Sequence, residues 1–104
     1  MSENSYKLLL RDHATLELKE AYSWYEEQQQ GLGEEFIKSI GEKLDKITNN
    51  PQHYKKTYKN YREALADRFP FLIVYIANET AKEILVVAIF HTSRNPKVKY
   101  RNRS

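Results

Sequence analysis

Two nearly unbroken apolar runs, Phe71–Ala77 and Ile84–Phe90, constrain this chain more than any other feature. Both are rich in β-branched and aromatic residues, which marks them as strands, the first entered at Phe69. They are far too short to cross a bilayer. A half-buried strand alternates apolar and polar residues; these do not, so both faces of each should be covered. The polar link Asn78-Glu79-Thr80-Ala81-Lys82-Glu83 is short enough to make the pair a hairpin. In a chain of 104 residues, helices can cover only one face of a single sheet. The other face is therefore expected to be covered by another chain or buried by curvature of the sheet.

The helices precede these strands. Tyr6–Arg11 reads as a short strand, and Asp12 is placed to accept from free N–H groups at the start of a helix. From about Ala14 to Gln29, Leu18, Ala21, Tyr22 and Tyr25 recur at helical spacing. Gly31 is expected to end this helix in the left-handed conformation. A second helix is expected from Glu34 to about Thr48, with Phe36, Ile37, Ile40, Leu44 and Ile47 on one face and Glu34 and Glu35 suiting the helix dipole. Asn49-Asn50-Pro51 stops it. Helices joined by Gly-Leu-Gly must lie antiparallel, and Tyr61–Ala66 supplies a further strand. The order is β-α-α-β-β-β: an α+β domain, residues 1–104, with a helical hairpin on a mostly antiparallel sheet and a basic C-terminal tail from about residue 91.

Several chemistries are excluded. The chain has no cysteine, hence no disulfide, no thiolate nucleophile and no cysteine-based zinc site. His13, His53 and His91 are isolated, so a metal is not expected. No glycine-rich phosphate loop follows a strand, no nucleophile triad is suggested by spacing, and no cofactor is expected. The N-terminus lacks the features of a signal peptide, which makes a cytoplasmic protein with no membrane association the expectation.

Charge is unevenly spread. Residues 1–51 hold six cations and ten acids, a net −4, whereas residues 52–104 hold eleven cations and four acids, a net +7. The last fourteen residues carry Arg94, Lys97, Lys99, Arg101 and Arg103 and no acid. Such a surface suits nucleic acid or an acidic protein; the bland alternative is a solvated tail. Lys55, Lys56, Lys59 and Arg62 alternate with Tyr54, Tyr58 and Tyr61. Cations among aromatics can hold phosphates and stack bases, but an edge strand guarded by lysine is the favoured reading. Trp24, with Tyr22 and Tyr25, is expected in helix packing rather than in a ligand cage.

The element order and several local strings resemble the RelE/ParE superfamily, the toxins of type II toxin–antitoxin modules. The strings are Trp24-Tyr25-Glu26, Gly31-Leu32-Gly33 with Phe36, Asn50-Pro51, Arg62, Arg68-Phe69-Pro70-Phe71 leading to Val74-Tyr75, and His91-x-x-Arg94-x-Pro96. They span about Tyr6 to Arg101 and look closest to the ParE-like branch. The resemblance implies a growth inhibitor held in a hetero-oligomer by a cognate antitoxin. RelE-like members cleave mRNA in the ribosome; ParE-like members inhibit DNA gyrase.

Cleavage by 2′-hydroxyl attack needs a proton acceptor, a cation for the charge on phosphorus and a donor to the leaving oxygen. RelE-like ribonucleases carry cations on the middle strands, where this chain has Glu63-Ala64-Leu65 and Phe71-Leu72-Ile73. Arg94 and Tyr100 match a C-terminal pair of that branch, and His91 stands where a general base would, so these three are the catalytic candidates for a ribonuclease. A histidine ending a strand also often does no more than bond a neighbouring backbone group. Arg62, Arg68, Arg94, Lys97, Lys99 and Arg101 are the candidates for target or antitoxin binding. Gyrase inhibition by binding, and hence a protein that is not an enzyme, is the favoured expectation. The alternatives are an mRNA endoribonuclease and a non-toxic binding module of the same fold.

Overall fold

The computed structural model describes residues 6–93. The elements run β1 (Lys7–Leu10), α1 (Asp12–Gln28), α2 (Leu32–Asn49), a 3₁₀ turn (Pro51–His53), β2 (Lys56–Tyr58), β3 (Tyr61–Leu65), β4 (Phe71–Asn78) and β5 (Glu83–His91). One five-stranded sheet has the order β1-β5-β4-β3-β2. β1 lies parallel to β5 and every other pair is antiparallel. The expected α+β architecture is present with one strand more than the periodicity suggested. β2 is three exposed residues and so carries no apolar alternation for a pattern to detect.

The helical hairpin packs on one face of the sheet. Phe36, Ile40, Leu44 and Ile47 of α2 join Ile73 and Tyr75 of β4 and Ile84, Val86 and Ile89 of β5 in the main core. Ile37, expected on this face, is instead 38% exposed. Tyr25, Phe36, Phe69 and Phe71 form an aromatic knot, with Phe36–Phe71 at 4.9 Å, Tyr25–Phe69 at 5.0 Å and Phe36–Phe69 at 5.4 Å between centroids. The knot fastens the β3–β4 turn to the helices. Phe69 is thus buried without being in a strand, which begins only at Phe71.

The opposite face carries a second buried cluster, Tyr61, Val74, Val87, Ala88 and Phe90, edged by Leu72, Ile76 and Leu85. Val74 pairs with Ala88 and Tyr75 with Val86, which leaves Val87 as the extra residue of a bulge. Val87 and Ala88 therefore share this second cluster, although adjacent residues of a regular strand point to opposite faces. The unbroken apolar run of β5 follows from that bulge and from two buried faces.

Two helix-end expectations need correction. Among the described residues Asp12 makes no capping hydrogen bond: it is the first helical residue, and Arg11, in extended conformation, is the N-cap. β1 runs into α1 through Arg11 alone, whose N–H is tied to the Val86 carbonyl, so no turn is left in which Asp12 can act as the cap. Gly31 is left-handed, with φ 89°, but it is the N-cap of α2; α1 ends earlier, with Gln29 as its C-cap. The interhelix turn is held by Glu26, whose two carboxylate oxygens accept the N–H groups of Gly31 at 2.9 Å and Gly33 at 3.0 Å. An anion there also suits the positive end of the α2 dipole.

Candidate functional site

The end of the sheet where β4 begins and β5 finishes gathers two of the candidate residues. β1 pairs with β5 only as far as Leu10 opposite Val86, while β5 continues to His91. Among the described residues the edge of β5 beyond Val86 has no strand neighbour, and α1 packs across it. Glu17 on α1, 8% exposed, accepts the buried Ile89 N–H at 2.8 Å, and its other oxygen lies 3.3 Å from His13 Nε2. A buried carboxylate is costly without hydrogen bonds, and an edge N–H out of reach of water is costly without an acceptor. Each satisfies the other.

Above this contact lies a cleft of about 330 Å³, lined by Glu17, Glu20, Ala21, Trp24 and Tyr25 of α1, Phe71 of β4, Ile89 and His91 of β5, and Ser93. Trp24 is 56% exposed, with Tyr25 edge-on at 5.1 Å. It lines the cleft and does not belong to the helix packing expected of it: Leu18, Ala21 and Tyr25 of α1 pack against the main core, and Tyr22 lies against Gly33 of α2.

His91 stands at the mouth, its ring edge-on to Phe71 at 5.4 Å. Its Nδ1 accepts the Ser93 N–H at 3.1 Å and lies 2.8 Å from the Ser93 hydroxyl. These contacts tie the ring to the turn that follows β5.

Arg68 lies at the same end, in the β3–β4 turn, with a left-handed φ of 71°. Its guanidinium donates to Glu35 Oε1 at 2.8 Å and stacks over Phe69 at 5.7 Å, with the side chain 65% exposed. The same turn is docked on α2 by Lys43 and Lys46, 3.6 and 3.8 Å from Asp67, and by the Ser39 hydroxyl bonding the Asp67 carbonyl. The Thr92 N–H bonds the Pro70 carbonyl at 2.8 Å, which binds the exit of β5 to this turn.

Arg62 is held apart from both. It pairs with Tyr75 across β3 and β4, whereas His91 pairs with Phe71, four residues nearer the other end of β4 and so roughly 13 Å away along the strand. Its Nη1 donates to the Tyr54 carbonyl at 2.6 Å and the Gln52 carbonyl at 3.5 Å. Beside it the buried Tyr75 hydroxyl donates to the Pro51 carbonyl at 2.6 Å. Burial pushes the Tyr75 hydroxyl far above the usual tyrosine range, the Arg62 charge pulling it partly back and Tyr54 raising it further. Arg62 and Tyr75 together fasten the 3₁₀ turn to the sheet. The adjacent lysines and tyrosines form the edge itself: β2 is exposed throughout, with Tyr58 and Tyr61 stacked at 6.0 Å.

Arg94, Lys97, Lys99, Tyr100 and Arg101 lie outside the described residues. Glu17, Glu20 and Trp24 were not singled out as site residues from sequence. The available signal was an acid at position 17, three residues after Ala14 and four before Ala21, in the apolar stripe of α1.

Solved structures share this architecture at low sequence identity. The chromosomal ParDE toxin–antitoxin system of P. aeruginosa matches with a TM-score of 0.73 at 16% identity, over 86% of this chain and 98% of that one. The intact E. coli RelBE toxin–antitoxin complex matches at 0.65 and 14%, over 84% and 96%. The isolated E. coli RelE toxin matches at 0.65 and 14%, over 90% and 92%. At these identities the likeness speaks for the fold. No curated protein matches the chain. The model of the family described as the ParE toxin of type II toxin–antitoxin system, parDE, matches residues 8–96, nearly the whole of it. The chain belongs to the ParE toxin family of type II toxin–antitoxin systems.

Proposed function

We propose that this toxin arrests growth in the cytoplasm by binding DNA gyrase, and that a cognate antitoxin neutralises it in a hetero-oligomeric complex. The observation that carries the gyrase reading is the employment of the polar groups on the middle strands. Among the described residues, Arg62 is the one cation on β3 and β4, and its guanidinium is spent on the backbone carbonyls of Tyr54 and Gln52. His91 Nδ1 is engaged by the Ser93 N–H. Losing one preorganised donor to a transition-state oxyanion costs on the order of 10²–10³ in rate. Inhibition by binding requires a complementary surface and no such set. The antitoxin reading is supported by the family and by two of the fold relatives, a toxin–antitoxin system and a toxin–antitoxin complex.

Two assays test the mechanism: gyrase supercoiling with purified toxin, and mapping of mRNA cuts in translating ribosomes. Loss of supercoiling without cuts is the expected result. Codon-phased cuts that vanish in His91→Ala or Arg94→Ala, with supercoiling untouched, would establish the endoribonuclease instead, with His91, Arg94 and Tyr100 as its catalytic set. Induced alone, the protein should stop growth, and co-expression of the antitoxin should restore it. Normal growth in the presence of folded protein would leave the non-toxic binding module.

A further inference from the structure

The lining of the cleft beside Trp24 mixes apolar and acidic side chains. Ala21, Trp24, Tyr25, Phe71 and Ile89 supply the apolar part, Glu17 and Glu20 the carboxylates, and His91 and Ser93 complete it. Among the described residues Glu20 makes no hydrogen bond or ion pair, and it stands between two exposed apolar side chains, Leu16 one turn before it and Trp24 one turn after. A shallow second groove shares Glu20 and Trp24 and adds Glu27, against the single cation Lys19. Carboxylates near an exposed indole favour a cation over its face. At about 330 Å³ the cleft is at the small end of the about 300–1,000 Å³ usual for ligand sites, which suits one or two side chains. The neighbouring strand edge is not open to strand addition there, because Glu17 already holds the Ile89 N–H and α1 packs across it.

We propose that this cleft anchors a segment of the antitoxin that carries a lysine or arginine beside an apolar side chain, the cation meeting Glu20 and Trp24 and the apolar group meeting Tyr25, Phe71 and Ile89. The inference rests on the antitoxin reading above and adds to it a local charge preference. The C-terminal half of the toxin, net +7, favours an acidic partner overall, whereas the cleft requires a cation at one point of that partner. Opposite demands at two places fix register as well as affinity.

Trp24 is the only tryptophan, so toxin grown with fluorotryptophan gives one fluorine NMR resonance, from a side chain that lines the cleft. Full-length toxin is titrated with intact antitoxin and with overlapping peptides of it, with calorimetry in parallel. The resonance should move with intact antitoxin and with a peptide that pairs a cation with an apolar residue. Glu20→Lys should weaken that peptide about tenfold or more at low salt, and Glu20→Gln less, with circular dichroism unchanged. Antitoxin that binds wild type and Glu20→Lys equally and leaves the resonance unmoved overturns this inference alone. Absence of any antitoxin binding overturns both it and the antitoxin reading. A resonance that moves with toxin concentration by itself assigns the cleft to a second copy of the chain and likewise refutes the proposal.

Discussion

Replacing Glu17 separates its role as an acceptor from its role as a charge. In Glu17→Ala the Ile89 N–H loses its acceptor inside the α1–β5 contact, where Glu17 is 8% exposed. A hydrogen bond to a charged group contributes about 1.5–3 kcal/mol, and an orphaned buried donor costs a similar amount. Alanine returns a few tenths through its higher helix propensity. The expected loss is about 2–3 kcal/mol. With an unfolding entropy of about 2.1 cal/mol/K per residue, 104 residues give about 0.22 kcal/mol/K, so Tm should fall by about 10 °C. Glu17→Gln keeps an oxygen that accepts from Ile89 and should cost about 1 kcal/mol or less. Urea denaturation measures both losses, and native-state hydrogen exchange reads the Ile89 amide directly: its protection should drop in the alanine variant and persist in the glutamine one. An alanine variant within about 0.5 kcal/mol of wild type, with Ile89 still protected, would refute the reasoning. Equal losses in the two variants would show that charge, not the acceptor, matters.

Two glycines of α2 should respond oppositely to alanine. A Cβ on Gly33 would sit 2.8 Å from the Tyr22 carbonyl oxygen and 2.9 Å from the Tyr22 ring and the Glu26 carboxylate, so Gly33→Ala should destabilise by about 1–3 kcal/mol in urea. Gly41 has nothing within 4 Å of that position, so Gly41→Ala should stabilise by about 0.5–1 kcal/mol in the same assay. Tyr75 and Tyr25 have pKa values raised by burial, so the folded state keeps protons that the unfolded state loses. Stability should be full below about pH 10 and fall as pH rises above it, and Tyr75→Phe should flatten that fall in an alkaline denaturation series. Reversal of Arg94, Lys97 and Lys99 to glutamate should slow antitoxin association in stopped flow, most at low salt; an unchanged rate would place the antitoxin elsewhere.

The helices and the two central strands were legible because each buries a face whose period matches its geometry. Phe36, Ile40, Leu44 and Ile47 of α2 mark one stripe, and the uninterrupted runs of β4 and β5 mark strands covered on both sides. β2 escaped because an exposed edge strand needs no apolar pattern. The bulge at Val87 escaped because it adds one more apolar residue to a run already apolar. The employment of the polar groups was decided by tertiary structure alone. Arg62 reads as a free cation until the 3₁₀ turn is folded against it, and no pattern in the sequence places the Ser93 N–H on His91 Nδ1. Glu17 was visible as an acid in an apolar stripe, but its partner was not. The Ile89 N–H needs an acceptor only because β5 outruns β1 past Val86, a mismatch of strand lengths brought together from opposite ends of the chain. Periodicity records which face of an element avoids water; which backbone groups are left at an edge, and which side chain reaches them, depends on neighbours that only the folded chain supplies.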